Sequence, residues 1–553
     1  MRRCYSGSWR GGRGDDRGRT RFDRINDIKP DGPQLFSGIT KALRIQPTDL
    51  MKSSQLEKLN SKGSFFIRNT IWNLVGQAVP LIVAIFAIPL LIRHLGTSRF
   101  GILTLGWALI GYVSLFDFGI GRALTQVVAE IKGSEQAWKI PSFFWASIYF
   151  LFGFGLVAAI GSILACPFIV NSVLRIPQEL RSESLSAFYL LAISLPIVII
   201  TAGLRGFLEA LQRFDLVNKM RIPMGVMIFI GPLMILPFTR KLSYLIGILV
   251  VVRTIGLIAH VIICFREMPG LLDHKKFARS NISHLFRFGT WMTISNILGP
   301  LMTYLDRFFI GALLSVALVA YYATPYEVVT KLLIIPTSLA CALFPAFATS
   351  FSGGDEKRVR LLFIQGLKCL FIIMFPIVLT LILFAKEAIT LWLNSDFASQ
   401  STHVMQLLAF GIMINSLAQI PFALLQGIGR PDITAKLHMI EFPLYLLLFW
   451  VLVSHYGIDG AAVAWVVRVL IDLFLLILRT RVLFPINGLI VRLVAAIFSV
   501  SAISAMGSLI ANPFYRGFYL LIILFAFFFL CWKLIMTAEE KKYMAQHVLR
   551  ATG

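Results

Sequence analysis

The chain has 553 residues, of which 57% are hydrophobic and only 14% are charged, and its formal net charge is +24. Soluble domains carry about 25% charged residues, so this composition excludes an ordinary soluble protein and indicates a membrane protein. The basic residues recur in short gaps between apolar runs instead of clustering in one domain, so the charge does not indicate a nucleic-acid-binding protein.

The first 62 residues differ from the rest of the chain. They include the Gly/Arg-rich stretch RRCYSGSWRGGRGDDRGRTRFDR and lack the apolar core of a signal peptide. A segment so poor in aliphatic residues cannot bury enough surface to fold, so the sequence predicts a disordered, basic cytoplasmic segment. A solvated tail and a translation start at Met51 both stay open as interpretations.

Apolar runs long enough to cross a bilayer as helices occupy most of the remaining sequence. The sequence predicts an all-α polytopic membrane protein of about fourteen transmembrane helices. These spans lie at 66–93, 101–128, 142–170, 185–210, 220–238, 243–265, 287–312, 316–348, 360–384, 403–427, 433–454, 459–479, 485–510 and 515–535.

The loops between these spans alternate in charge. Loops after the even-numbered spans, up to the twelfth, are rich in Lys and Arg, whereas the intervening loops are shorter or less basic. Since basic loops stay on the cytoplasmic side, both termini are predicted to be cytoplasmic.

Matching charged residues indicate an internal repeat. At a shift of 217, Arg213, Asp215 and Lys219 of GFLEALQRFDLVNKM coincide with Arg430, Asp432 and Lys436 of ALLQGIGRPDITAKL, and further matches lie at shifts of 219 and 215. The repeat predicts two six-helix lobes, at 63–282 and 283–482, related by an axis along the membrane normal. Residues 483–553 would add two helices and a cytoplasmic tail.

Several of these segments together resemble the polysaccharide transporter (PST) family of oligosaccharide flippases, in the superfamily that also contains multidrug antiporters and lipid II flippases. The segments are LFDFGIGRALTQVVAE (115–130), LEALQRFDLVNK (208–219), YLDRFFIG (304–311) and AYYATPYEVVTKL (320–332). The resemblance covers residues 63–482. It implies a carrier in the bacterial cytoplasmic membrane that moves an undecaprenyl-pyrophosphate-linked oligosaccharide by alternating access.

A path for such a substrate needs cations for its pyrophosphate and neutral polar groups for its sugars. Charged residues inside membrane spans usually face a water-filled cavity, and arginine can bind phosphate with a two-pronged fork. Arg253 and Arg468 occupy matching, central positions in the repeat and are the principal candidates. The alternative for Arg468 is an intrahelical pair with Asp472, four residues later. The other candidates for the path are Lys331, Arg122, Asn73, Gln77 and Asn296.

Four further ionisable residues are candidates for gating or ion coupling. Asp306 and Arg307 are adjacent in TYLDRFFIGALL, toward the outer third of the seventh span, and the first lobe has Ala87 and Ile88 at the matching positions. They are therefore interpreted as holding an outer gate or helix contact closed. The others are Glu327, which would pair with Lys331 at i,i+4 or bind a coupling cation, and Asp117.

The sequence shows no sign of an enzyme. It contains no H-E-x-x-H or P-loop motif, and its six scattered cysteines lack C-x-x-C spacing, so neither a cofactor nor a metal site is expected. The expected partners are the bilayer and the lipid-linked oligosaccharide, with H+ or Na+ as candidate coupling ions and the polymerase machinery as a candidate partner. The rivals are a cation-coupled multidrug antiporter, disfavoured because the central candidates are mostly basic, and a lipid II flippase.

Overall fold

The computed structural model describes residues 53–113, 137–271, 290–485 and 488–535, with Leu124 and Val128 between them. Side chains are described from residue 78 onward, apart from those at 113, 214, 290–297, 300, 489–490, 492 and 534–535. Residues Glu57–Ile535 form one compact unit. Every regular element in the described ranges is helical, which confirms the predicted all-α class.

The helices are numbered along the chain. They are α1 Ser53–Val113, α2 Ile140–Phe168, α3 Gln178–Ala210, α4 Phe214–Ile235, α5 Leu242–Glu267, α6 Thr290–Leu313, α7 Val316–Thr330, α8 Ile334–Ser352, α9 Glu356–Leu383, α10 Ala385–Trp392, α11 Ser395–Gly427, α12 Pro431–Leu483, α13 Leu489–Ser508 and α14 Pro513–Leu530. A short 3-10 turn, Lys331–Leu333, joins α7 to α8.

Within the described ranges, 10 helical segments are long and apolar enough to cross a membrane. Two of them are bent at a glycine. The backbone of α1 turns at Gly96 (φ 73°) and that of α12 at Gly457 (φ 60°), so each consists of two helices. Glycine suits both bends because positive φ is costly for residues with a Cβ. The bends separate the predicted spans 66–93 from 101–128 and 433–454 from 459–479, but the predicted total of fourteen remains a prediction.

The two copies of the predicted repeat have the same local geometry where their charged residues match. After α3, Gln212 has a φ of 61°, and Arg213 donates to Asp215 over 3.1 and 3.3 Å. After α11, Gly429 has a φ of 77°, and Arg430 donates to Asp432 over 3.0 and 3.3 Å. In both, the aspartate lies in the first turn of the next helix, where a negative charge is favoured. The division into lobes itself remains a prediction.

The two predicted lobes touch at one end of the helices, on the side for which the sequence predicts the less basic loops. A Cβ added to Gly101 would overlap the backbone oxygen of Val316, so the two backbones are in direct contact there. Nearby, the Arg175 amide donates to the Gly311 carbonyl over 2.9 Å.

Replacement of Gly101 by valine is expected to separate the lobes at this end, because a side chain cannot occupy the space taken by the Val316 carbonyl. Disulfide cross-linking between Arg175→Cys and Gly311→Cys, in a background without the six native cysteines, should fall strongly. The matched control is Gly153→Val, since nothing lies within 4 Å of a Cβ at that position. Equal cross-linking yields in the two valine variants would refute the close contact.

Helices α13 and α14 are fastened to the second predicted lobe through Arg516. This side chain is 9% exposed and donates to the carbonyl of Leu383 over 2.8 Å, to that of Ile510 over 2.7 Å, and to Glu387 over 2.9 Å. The buried charge therefore has a carboxylate partner on α10 and caps carbonyls at two helix ends.

Candidate functional site

The side chain of Arg307, on α6, is enclosed by α7 and by its own helix. It is 2% exposed and donates from Nη2 to Glu327 Oε1 over 2.8 Å. Its guanidinium carbon lies 5.5 Å from the ring centre of Tyr304 and 5.1 Å from that of Tyr326. Arginine tolerates burial between aromatic rings because the π faces attract its charge.

Asp306, the neighbour of Arg307 in sequence, has different partners. Its carboxylate accepts a hydrogen bond from the Tyr322 hydroxyl over 2.8 Å and another from the Arg307 backbone amide over 2.7 Å. It is 1% exposed. The two adjacent charges therefore do not pair side chain to side chain, as expected for neighbours that point about 100° apart on a helix. Both side chains are buried within the protein.

Glu327 joins this group to a third cation. One carboxylate oxygen accepts from Arg307, and the other lies 3.3 Å from the Nζ of Lys331, one turn further along the chain. The i,i+4 pair expected from the sequence is thus present, and Glu327 binds Arg307 as well. Lys331 remains 44% exposed, so it is the cation of the group most accessible to water.

These residues form one wall of a cavity of about 330 Å³ in the second predicted lobe. Helices α6 and α7 provide one side, and α11 and α12 the other. The lining residues are Gly299, Thr303, Tyr304, Arg307, Tyr326, Glu327, Thr330, Lys331, Leu333, Asn415, Ala418, Gln419, Phe422, His438, Trp465, Arg468 and Asp472. The cavity thus combines three cations with hydroxyl and amide groups, and it can hold an anion that also bears hydrogen-bonding groups.

Arg468 lies opposite Arg307 in this cavity. It is 8% exposed, forms no ion pair with Asp472, and its Nε has no hydrogen-bond partner. The intrahelical pair that the sequence offered as the alternative for Arg468 is therefore absent. A buried guanidinium with an unused donor costs free energy unless a ligand or water binds it, so Arg468 can accept an anion from the cavity.

Arg253, the predicted counterpart of Arg468, does not line this cavity. It lies on α5, is partly buried, and has no hydrogen bond or ion pair with another described residue. The structure therefore brings together Arg468, Lys331, Arg307 and Glu327 among the predicted residues, but not Arg253. Arg122 and Asp117, and the side chains of Asn73, Gln77 and Asn296, lie outside the described residues.

Sequence reasoning missed a group of buried ionisable side chains behind Arg468. His438 and Glu441 lie on the first part of α12 and Asp472 on the second, and their imidazole and carboxylate atoms lie within 4.8 Å of one another. All three are buried, and such a group could hold a cation. The available signal was the presence of His438 and Glu441 inside an apolar span, where ionisable residues are rare and usually functional.

Comparisons with known proteins agree with this architecture. The family model described as polysaccharide biosynthesis protein matches residues 66–351. The chain is also 31% identical over 411 residues to a putative O-antigen transporter of Shigella flexneri, covering 74% of this chain and 96% of that protein.

The chain belongs to the polysaccharide biosynthesis protein family. A second relative is the probable low-salt glycan biosynthesis flippase Agl15 of Haloferax volcanii, at 25% identity over 190 residues, which cover 34% of this chain and 40% of the relative. The MatE family model matches residues 292–452. This member of the polysaccharide biosynthesis family is thus a multi-pass membrane protein of the multidrug and polysaccharide exporter superfamily, with a role in transport.

Solved structures show the same fold. An inward-facing multidrug resistance MATE family transporter has a TM-score of 0.64 at 14% identity, covering 74% of this chain and 98% of that one. The lipid II flippase MurJ, in an inward closed conformation, has a TM-score of 0.63 at 14% identity, covering 85% and 100%. At this identity the similarity concerns the fold alone, so the arrangement of charges in the cavity is the feature that bears on the substrate of this family member.

Proposed function

We propose that this protein is a flippase that moves an undecaprenyl-pyrophosphate-linked oligosaccharide across the bacterial cytoplasmic membrane, for the synthesis of a surface or exported polysaccharide. The observation that carries the proposal is the cavity lined by Arg307, Lys331 and Arg468, between helices that the sequence predicts to span the membrane. Arg307 and Lys331 share one carboxylate partner, Glu327, and Asp472 is the other carboxylate of the lining, so the three cations leave an excess of positive charge. A pyrophosphate linker would neutralise it.

The cavity offers different groups to the different parts of such a substrate. Arg468 and Lys331 are the groups proposed to bind the pyrophosphate, because one has an unused donor and the other is exposed. Thr303, Asn415 and Gln419 line the same space and would hydrogen-bond to sugar hydroxyls. The lipid tail would remain in the bilayer, which is its natural solvent.

Asp306, Arg307 and Glu327 would hold other side chains in place and would not bind the substrate themselves. Arg307 is nearly inaccessible, so its role would be to hold Glu327, which in turn orients Lys331 toward the cavity. The sequence also proposes Arg253, Arg122, Asn73, Gln77 and Asp117 in the first predicted lobe and Asn296 in the second. These proposals stand beside this set.

Transport would proceed by alternating access of the two lobes, with both chain termini in the cytoplasm, as the distribution of basic loops suggests. The energy source would be a gradient of H+ or Na+, and the product would be received by the polysaccharide polymerase machinery. The putative O-antigen transporter that is 31% identical to this chain supports the glycan substrate over a drug. The charge of the cavity lining favours the same choice, because its three cations outnumber its two carboxylates, Glu327 and Asp472, whereas a carrier of cationic drugs needs an excess of negative charge there.

The proposal is tested by reconstituting the purified protein into vesicles that contain a lipid-linked oligosaccharide in the outer leaflet. We expect the protein to move this lipid to the inner leaflet, where an externally added glycosidase cannot reach it. Undecaprenyl-pyrophosphate lipids with sugars of different length should be moved in the same way. Protein-free vesicles and vesicles with a heat-inactivated sample serve as controls. A protein that transports a fluorescent cationic drug but leaves the lipid accessible would contradict the flippase function and support the multidrug antiporter.

A further inference from the structure

A groove separate from the basic cavity lies between the second predicted lobe and α13. It has a volume of about 500 Å³ and is lined by residues of α9, α11, α12 and α13. Its ionisable groups are His403, on α11, and Asp459, on the second part of α12, whose Nδ1 and Oδ2 atoms lie 3.8 Å apart. Lysine and arginine do not occur among the described residues of this lining. The groove is therefore acidic, whereas the cavity proposed for the substrate is basic.

Two polar groups of this groove lack a hydrogen-bond partner within the described protein. One is the Oδ1 atom of Asp459, and the other is the hydroxyl of Ser504, on α13, a residue that is only 7% exposed. The neighbouring Ser501 and Ser508 instead donate to carbonyls of their own helix, over 2.9 and 2.8 Å. Unsatisfied polar groups cost free energy in apolar surroundings, so the groove favours an occupant that brings a positive charge and further hydrogen-bonding atoms.

The side of α13 that lines the groove continues along the helix as an apolar surface. Val494, Phe498, Ser501, Ala505 and Ser508 follow one another at intervals of three or four residues and so share one side of the helix. The last three line the groove, whereas Val494 and Phe498 are 57% and 74% exposed. Phe498 precedes Ser508 by about 15 Å along the helix. This side of α13 therefore suits an amphiphile, with its polar head in the groove and its hydrocarbon chain along Val494 and Phe498.

The groove lies at the end of the helices where the two predicted lobes touch. Gly457, two residues before Asp459, has Leu314 as its neighbour, and Leu314 lies two residues before Val316 of the lobe contact. The sequence predicts the less basic loops at this end, which places it on the outer side of the membrane. The side chains of His403 and Asp459 are 77% and 45% exposed, so a lipid headgroup of the outer leaflet can enter.

We propose that this groove binds the headgroup of a phospholipid with a primary ammonium, of which phosphatidylethanolamine is the example. The ammonium supplies Asp459 with a positive charge and with N–H donors, and the phosphate accepts a hydrogen bond from Ser504. Phosphatidylglycerol lacks the cation, and the trimethylated nitrogen of phosphatidylcholine has no N–H. Asp459 would repel the pyrophosphate of the proposed glycan substrate. The bound lipid is therefore not the substrate, and the site does not depend on the proposed function.

The site is tested on the purified protein, freed of lipid in detergent. Dioleoyl forms of phosphatidylethanolamine, phosphatidylcholine and phosphatidylglycerol are added separately, and bound lipid is measured by native mass spectrometry. We expect one phosphatidylethanolamine molecule to bind saturably, roughly tenfold more tightly than either of the other lipids, the effect of one hydrogen bond to a charged group. Equal affinities for the three lipids would overturn the proposal.

The Asp459→Asn variant should lose this preference, so that phosphatidylethanolamine binds no better than phosphatidylcholine. Ser504→Ala is the second variant in case the first does not fold, and it should weaken the binding of phosphatidylethanolamine. The matched control is Asp396→Asn, since Asp396 is exposed at the same end of α11 and does not line the groove. A folded Asp459→Asn protein that keeps the full preference would refute the site.

A last competition separates a lipid from a soluble amine with the same head. O-phosphoethanolamine carries the ammonium and the phosphate but no acyl chains, so it should displace the lipid only at much higher concentration, because it lacks the contacts with Val494 and Phe498. Displacement at equal concentration would show that the groove binds a soluble amine and would overturn the assignment to a lipid.

Discussion

Replacement of Arg468 by alanine is expected to abolish glycan export while leaving the amount of membrane-inserted protein unchanged. Arg468 lines the cavity and has an unused donor. A hydrogen bond to a charged group contributes about 1.5–3 kcal/mol, so the loss of a two-pronged contact to pyrophosphate would weaken binding by roughly a hundredfold or more. The measurement is surface glycan in cells that depend on this protein, with membrane levels determined by immunoblotting.

Two further variants test whether the loss of export is specific to the guanidinium of Arg468. Arg468→Lys keeps the charge but removes the planar fork, so export should be partly restored if charge dominates and remain lost if the bidentate geometry is required. Arg479→Ala is the matched control, since Arg479 lies on the same helix and is exposed. We expect it to export normally.

Arg253 distinguishes two models of the path. A symmetric path between the lobes predicts the same loss of export from Arg253→Ala as from Arg468→Ala. A path confined to the cavity of the second lobe predicts a much smaller effect, because Arg253 does not line that cavity. Normal export from the double variant Arg253→Ala/Arg468→Ala would exclude both models and with them the assignment of the pyrophosphate site.

Replacement of Arg307 by alanine is expected to destabilise the folded protein by about 3–5 kcal/mol, the usual cost of breaking a buried ion pair from one side. The change removes the bond to Glu327 and the contacts with the rings of Tyr304 and Tyr326. It also leaves the buried carboxylate of Asp306 without its nearest positive charge. The measurement is thermal unfolding of the purified protein in detergent.

The matched control for this prediction is the double variant Arg307→Met/Glu327→Gln. It fills the space of the arginine and removes the charge of its partner, so it should be more stable than Arg307→Ala, because replacing both members of a buried pair costs less than removing one. If Arg307→Ala unfolds at the temperature of the unaltered protein, the guanidinium is not part of the structural core of α6 and α7.

The prediction of helices from sequence succeeded because it depends on local properties. Long apolar runs identify membrane segments, and positively charged loops and glycines mark their ends. For the same reason the local turns around Arg213 and Arg430 could be matched, since each guanidinium binds a carboxylate only two residues away. The number of helices differs from the number of predicted spans, because α1 and α12 each continue through two predicted spans, with a bend at Gly96 and at Gly457.

The partners of the charged residues were harder to predict. Arg307 forms an ion pair with Glu327, which lies 20 residues later on another helix. Asp306 accepts a hydrogen bond from Tyr322, a residue that the sequence did not single out. Glu441 and His438 were overlooked because each is a single polar residue in an apolar run, and their proximity to Asp472 arises only when the two parts of α12 fold back at Gly457.

The sequence by itself therefore determined that this chain is an all-helical membrane protein and indicated its family, since both depend on apolar length and on short motifs along the chain. Only the tertiary structure decided that Arg468 faces Arg307 and Lys331 across one cavity and that Arg253 lies outside it. The physical reason is that charges such as Arg307 meet their partners on another helix, and the rotation and packing of the helices decide which partner each one meets.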